Sequence, residues 1–347
     1  MAIKIGVIGG GAIAQEAHLP AYSKLNDVEI VGIADVNEKA ARSTAKKYHC
    51  KAYADYTKLL DENKLDAISV CTPPFTRLEI IKRVAEKGVS ILCEKPLAES
   101  YSHAVEIHKI IENSGIQFMM GFTLRFDNWY KEASQKVAEG KLGDVVFLRG
   151  VYVDTFPQYS WILNKDMPGG VMMDKGSHAI DMATWLLGPP REVQSVTFNK
   201  REMAIDENAF LIMKHDTAYS QLTFSFGVNK RMERLEIFGT ACNFIIDQEL
   251  LTTFFLPSSD NVIFHLPKVY KNAAKQLLCS KGIINQPNMY FQELEYFVNC
   301  IKNGENLTPN HNDGVTNMAI IDASYKSALN NSQPTAVNYI KQSDGKK

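Results

Sequence analysis

The sequence predicts an α/β protein: an N-terminal Rossmann-type, doubly wound parallel sheet followed by a C-terminal α/β domain with a large, mostly antiparallel open sheet. Three observations predict it. Short apolar runs alternate with amphipathic helical patterns as far as residue 121, a glycine string (Gly9-Gly10-Gly11) follows the first run, and beyond residue 124 the pattern changes to closely spaced alternating stretches. Strands with no polar face of their own need helices on both sides, whereas alternating strands need cover on one side only. At 347 residues the chain exceeds what one hydrophobic core usually organises. The division is placed at 1–124, a dinucleotide-binding domain, and 125–347, a substrate-binding and oligomerisation domain.

In the first domain, residues 3–8, 28–34, 67–71, 90–93 and 117–121 read as strands, and 15–24, 38–48, 56–62, 77–87 and 101–113 as helices. The second opens with a helix at 128–139 and a strand at 145–153. A loop carrying Pro157, Pro168, Gly169 and Gly170 follows, then a helix stopped by Gly188-Pro189-Pro190. Strands are expected at 193–199, 209–214, 218–226, 234–238, 243–247 and 251–255. Helices return at 289–303 and 314–330, and the tail 341–347 reads as frayed.

The composition excludes several classes. With 45% hydrophobic and 22% charged residues the chain is an ordinary globular one. Its 38 Lys and Arg against 39 Asp and Glu lack the basic excess of a nucleic-acid binder. No apolar run reaches the length of a membrane span. The first apolar run contains Lys4 and ends in glycines, as a strand does and a signal peptide does not. Cys50, Cys71, Cys93, Cys242, Cys279 and Cys300 form no C-x-x-C pair, which favours reduced thiols and a cytoplasmic location.

Three motifs carry chemistry. Gly9-Gly10-Gly11-Ala12-Ile13-Ala14 fits G-x-G-x-x-A where a strand turns into a helix. Gly9 allows the tight turn, Gly11 lets the backbone approach a pyrophosphate, and Ala14 lets helix and strand pack closely. Asp35 ends the second strand, where a carboxylate accepts hydrogen bonds from ribose hydroxyls. Its charge repels a 2′-phosphate, so NAD is favoured, with NADP left open. The other reading of this motif is a plain glycine turn with Asp35 as a helix N-cap.

Glu94-Lys95-Pro96 places a lysine at the carboxyl end of a strand, the side on which open α/β sheets bind ligands. There it bonds a substrate oxygen or exchanges a proton, or it is simply a solvated surface lysine. Asp174, His178, Asp181 and Trp185 fall within roughly 60° of one another on a helix, with Ala179, Ile180, Ala183, Leu186 and Leu187 opposite. A histidine one turn from a carboxylate suits a general base. A merely satisfied helix-terminal histidine and a metal site remain as alternatives. No second His or Cys cluster supplies further ligands, and no metal is expected.

In this order the motifs resemble the glucose–fructose oxidoreductase / inositol dehydrogenase (Gfo/Idh/MocA) family. Also matching are His18-Leu19-Pro20, Thr72-Pro73, Gly121-Phe122, Arg125-Phe126, Gly169-Gly170 leading into Asp174-x-Gly176-x-His178-x-x-Asp181, and the closing stretch from Asp313-Gly314 to Ala328. The resemblance implies hydride transfer between nicotinamide and a carbinol of a sugar, inositol or related polyol. It makes Lys95, Asp174 and His178 the catalytic residues. Gly9, Gly11, Ala12, Ile13, Ala14, Asp35, Thr72, Pro73, Glu94 and Lys95 become cofactor contacts, and a homodimer or homotetramer forms through the second sheet. Arg125, Tyr152, Trp161 and Lys175 are the candidate substrate contacts.

Two departures stand out. Many members read Thr-Pro-Asn with a His three residues on, where this chain has Thr72-Pro73-Pro74-Phe75-Thr76-Arg77. Many carry Asn and Arg after Gly-Phe, where this chain has Thr123-Leu124. Two other functions stay open: a glycosidase-type redox and elimination enzyme using held NAD, and a non-catalytic NAD-bound sensor or scaffold.

Overall fold

Six short parallel strands make the first sheet: β1 (Ile3–Ile8), β2 (Val28–Ala34), β3 (Lys51–Tyr53), β4 (Ala67–Val70), β5 (Ser90–Glu94) and β6 (Phe118–Gly121). Their order is β3-β2-β1-β4-β5-β6, the arrangement of a dinucleotide fold. The computed structural model describes residues 2–157, 169–201, 205–248, 252–257 and 288–340. They fall in two units, Met1–Phe126 with Pro287–Met318 and Asp127–Gln286 with Ala319–Lys347.

Every residue of β4 and β6 is buried, so the first sheet needs cover on both faces. Helices α1 (Leu19–Tyr22), α2 (Glu38–Lys47), α3 (Tyr56–Glu62), α4 (Arg77–Glu86) and α5 (Tyr101–Ser114) follow the strands in turn. Asn37, Asp55 and Ser100 cap α2, α3 and α5 by accepting the N–H of Ala40, Thr57 and His103. A later helix, α8 (Met289–Asn303), joins this unit. Its Leu294, Phe297 and Val298 share one face and meet Leu19 and Tyr22 of α1 with Ile5, Val7, Ile33 and Leu92 of the sheet.

The second unit holds eight strands: β7 (Val145–Val153), β8 (Glu192–Phe198), β9 (Asn208–Lys214), β10 (Tyr219–Ser225), β11 (Met232–Gly239), β12 (Cys242–Asp247), β13 (Thr252–Pro257) and β14 (Thr335–Ala336). The order is β13-β12-β11-β7-β10-β9-β8-β14, antiparallel throughout except for the parallel pair β7–β10. Helices α6 (Asn128–Ala138) and α7 (Ser177–Leu187) pack on one face. Along β9 the alternation is plain, with Ala209, Leu211 and Met213 buried and Phe210 and Ile212 exposed.

Some elements differ from the sequence reading. β3 is an edge strand of three residues, too short and too polar to announce itself. The helix expected at 15–24 is a π-turn, Ala14–His18, running into α1. The last long helix, α9 (His311–Leu329), starts three residues before the expected 314. Asn310 opens it, its Oδ1 accepting the Asn312 N–H while its own N–H donates to Asp313 Oδ2. Among the described residues no helix is long and apolar enough to cross a membrane, and Cys50, Cys71, Cys93, Cys242 and Cys300 are free thiols.

Candidate functional site

The strands of the first sheet all point one way, so the turns after them share its carboxyl edge. The 9–14 turn follows β1, Asp35 follows β2, Thr72 and Pro73 follow β4, and Lys95 follows β5. Gly9 has φ +95°, and a Cβ there would sit 2.8 Å from the Cys71 carbonyl. Only glycine lets the turn lie this close. Gly10 N–H donates to Asp35 Oδ2 at 2.7 Å, and Asp35 Oδ1 accepts the Asn37 N–H at 2.8 Å. Asn37, not Asp35, is therefore the N-cap of α2.

At Gly11 an added Cβ meets nothing within 4 Å, so the turn faces open space. Ala14 is fully buried behind it. Backbone N–H groups in the first turn of a helix have no intrahelical acceptor and carry the positive end of its dipole. An open glycine turn with these donors, and a carboxylate one strand away, fits a dinucleotide: pyrophosphate over Gly11, Ala12 and Ile13, adenosine ribose at Asp35.

The Glu94-Lys95-Pro96 segment is held by Arg77, which in the sequence is only a departure from the family pattern at the start of a helix. Arg77 is 3% exposed. Its guanidinium donates to the carbonyls of Thr72 (2.7 Å from Nη2), Lys95 (3.3 Å), Glu94 and Pro96. One planar fork thus ties the turn after β4 to the turn after β5. Lys95 itself is half-buried, its N–H donating to Glu94 Oε2 at 3.2 Å.

Below Glu94 lies a buried polar network. Glu94 Oε1 is 2.9 Å from His18 Nε2, His18 Nδ1 is 3.2 Å from Ser69 Oγ, and Ser69 Oγ is 2.7 Å from the Tyr22 hydroxyl. Burial alone would strip the proton from His18, but Cys71 and the Glu94 carboxylate overcome it and hold the ring well above its ordinary value. Burial would likewise raise Glu94. Its hydrogen bond from His18 and the charges of His18, Lys95 and Arg77 hold it below the usual range. Nearby Glu293 of α8 behaves oppositely: burial and then the charge of Glu94 push it up to about 8. Thr123 Oγ1 donates to its Oε2 at 2.9 Å. No simple periodicity marks this cluster; only His18 and Glu94 lie in motifs.

In the second unit the loop before α7 is also built on a glycine. Gly170 has φ +105°, and a Cβ would fall 2.0 Å from Asp206 Oδ1. Asp206 Oδ2 accepts the Met172 N–H at 2.8 Å, and its Oδ1 accepts the Tyr325 hydroxyl at 2.7 Å. A π-turn, Met172–Gly176, leads into α7. Of the stripe read from the sequence, Asp174, His178 and Trp185 are partly exposed, while Asp181 is buried. Ala179, Ile180, Ala183 and Leu186 are buried, as the pattern predicts. Lys175 Nζ lies 2.6 Å from Asp154 Oδ2 and 3.9 Å from Asp174 Oδ2, and Asp154 was not foreseen.

The other expected substrate residues are placed as follows. Tyr152 is buried, its hydroxyl 3.3 Å from that of Tyr130. Arg125, in the first unit, donates to Asp313 Oδ1 at 2.8 Å and lies over the Phe122 ring. Trp161 lies outside the described residues.

Comparison with known proteins identifies the family. The model of an oxidoreductase family with an NAD-binding Rossmann fold (GFO_IDH_MocA) matches residues 3–122, and that of the GFO/IDH/MocA C-terminal domain matches residues 130–245. The chain is 24% identical over 345 residues to the inositol 2-dehydrogenase of Rhizobium meliloti, covering 96% of this chain and 99% of that protein. It is 26% identical over 329 residues to the myo-inositol 2-dehydrogenase of Thermotoga maritima, covering 90% and 92%. A levoglucosan dehydrogenase solved with NADH and levoglucosan superposes with a TM-score of 0.86 at 21% identity, over 98% of this chain and 100% of that one. The two models together match well over half of the chain, and the chain belongs to the GFO/IDH/MocA family of NAD-binding oxidoreductases.

Proposed function

We propose that the chain is a dehydrogenase of a sugar, inositol or related polyol, acting on one CH–OH group. The observation that carries this reading is the gathering, on the carboxyl edge of one parallel sheet, of the 9–14 turn, Asp35 and an Arg77-held Lys95. The dinucleotide, when bound, supplies the hydride acceptor or donor. Gly9, Gly11, Ala12 and Ile13 seat its pyrophosphate with Ala14 packed behind them, Asp35 accepts from its ribose hydroxyls, and Thr72, Pro73 and Glu94 complete the cradle. NAD is the expected form, since a 2′-phosphate would meet the Asp35 charge.

Lys95 bonds the reacting oxygen, and His178, oriented by Asp174, takes or returns the hydroxyl proton. A placed proton acceptor contributes about 10²–10⁴-fold. Lys175 with Asp154 and Asp174 offers the mixture of donors and acceptors that suits a polyhydroxy substrate. Arg125 and Trp161 are further candidate substrate contacts, whereas Tyr152 is buried against Tyr130 and is not placed among them. Relatives named for inositol support the substrate class.

A panel of sugars and inositols with NAD and NADP, read by reduced-nicotinamide absorbance, tests the proposal. Turnover of at least one free polyol is expected. Cleavage of a chromogenic glycoside without net NADH, or NAD binding with no turnover across the panel, would overturn it.

Self-association through the second sheet belongs to the same reading. Val196, Phe198, Phe210, Ile212 and Tyr219 are each 42–49% exposed, Val196 pairs with Phe210, and Phe198 stacks on Phe210. Apolar side chains gathered on one sheet face mark an interface. Light scattering should report a dimer or tetramer, and Phe210→Glu should shift it toward monomer. The free thiols fit a cytoplasmic setting.

A further inference from the structure

We propose that His108, Glu112 and His311 form a Zn²⁺ site that pins the start of α9 to α5. His108 and Glu112 stand one helical turn apart on α5 and face the same way. His311 is the first residue of α9, far away in sequence. One ligand atom from each of the three lies within 4.8 Å of the others. His311 Nε2 is 2.6 Å from Glu112 Oε1, and the two imidazole centroids are 5.0 Å apart. Phe118 of β6 stands edge-on to the His311 ring at 6.2 Å, which limits its rotation.

The donor set is a borderline-soft one, two imidazoles and a carboxylate, and it suits zinc with water in the fourth position. At bond lengths of about 2.0–2.2 Å, tetrahedral ligand atoms lie a little over 3 Å apart, so these side chains need shift by only an ångström or so. A plain ion pair between His311 and Glu112 leaves a residue unexplained. Nδ1 of both histidines is buried with no hydrogen-bond partner among the described residues. A buried ring nitrogen without a partner is costly, and a cation bound through Nδ1 takes that lone pair while His311 Nε2–H keeps its bond to Glu112. Because the ligands are split between α5 and the distant α9, no sequence-local His cluster announces the site.

The test uses the full chain, stripped with a chelator and titrated with Zn²⁺ by calorimetry, with nitrilotriacetate present to remove weakly held surface metal. Co²⁺ is the spectroscopic probe. One Zn²⁺ per chain, the visible bands of four-coordinate Co²⁺, and a rise in Tm with zinc are expected. His108→Gln and His311→Gln should each weaken zinc by at least about 10–100-fold and remove the rise in Tm. Should either fail to fold, the exposed Glu112→Gln supplies the same comparison. Zinc binding no tighter than in these variants, or an equal rise in Tm in all of them, overturns the proposal.

Discussion

Replacing Glu293 by Gln should make stability less dependent on pH, and the structure gives the size of the effect. Glu293 is wholly buried, and its Oε1 has no partner among the described residues. An ionised carboxylate there would leave one oxygen bare beside the Glu94 charge. Burial, then Glu94, raise its pKa from 4.5 to about 8. The folded state therefore keeps a proton that the unfolded chain gives up above about pH 4.5. Stability from this group is fully present below that point, falls as pH rises toward 8, and is flat beyond. At 1.36 kcal/mol per unit the whole loss is about 5 kcal/mol. Gln cannot ionise, yet its carbonyl still accepts from Thr123. Calorimetry on both proteins should give similar Tm near about pH 5, with the variant higher by on the order of 10 °C near about pH 8.5. A wild-type-to-variant difference that does not change with pH would mean that Glu293 is not the proton holder.

Other outcomes follow from the same geometry. Lys95→Ala, Asp174→Ala and His178→Ala should each lower kcat by about 10²-fold or more on a verified substrate; values within a few-fold of wild type in all three sink the assignment. Asp35→Asn keeps an acceptor for the Gly10 N–H but drops the charge, so the ratio of kcat/KM for NADP over NAD should rise; an unchanged ratio removes Asp35 from the ribose. Arg77→Lys keeps the charge and loses the fork to four carbonyls, so urea unfolding should show a loss of about 2–4 kcal/mol. An unaltered midpoint would mean that those carbonyls find other donors.

The sequence exposed what depends on local pattern. Buried parallel strands such as β4 and β6 are apolar runs, the glycine at residue 9 is demanded by a contact to Cys71, and α7 shows its apolar side in Ala179, Ile180, Ala183 and Leu186. What it concealed depends on pairing at a distance. β3 exists because Gly32, Ile33 and Ala34 of β2 offer it partners, not because Lys51-Ala52-Tyr53 is strand-like. Arg77 looks like an opening residue of a surface helix until four carbonyls from two other segments converge on it. Glu293 sits on an otherwise ordinary amphipathic face, and only the fold brings Glu94 near it. Periodicity reports which face is buried and is silent about what a buried charge meets there.

The two motif-bearing helices also share a construction that explains why their acids are hard to read. Each begins after a glycine with positive φ, Gly9 or Gly170, and each passes through a π-turn, Ala14–His18 or Met172–Gly176. A π-turn breaks the regular i to i−4 ladder and often sits at a functional site. In both cases a carboxylate from another segment accepts a backbone N–H at or just before the π-turn, Asp35 from Gly10 and Asp206 from Met172. An acid at such a place is required by the backbone before any ligand arrives. Asp35 is then both a lock and the group read as the ribose acceptor, while Asp206, bonded to Tyr325 as well, is a lock with no ligand role assigned. Residue type and spacing do not separate the two. The distinction lies in which carboxylate stands at the carboxyl edge of the parallel sheet, and that is a property of the fold.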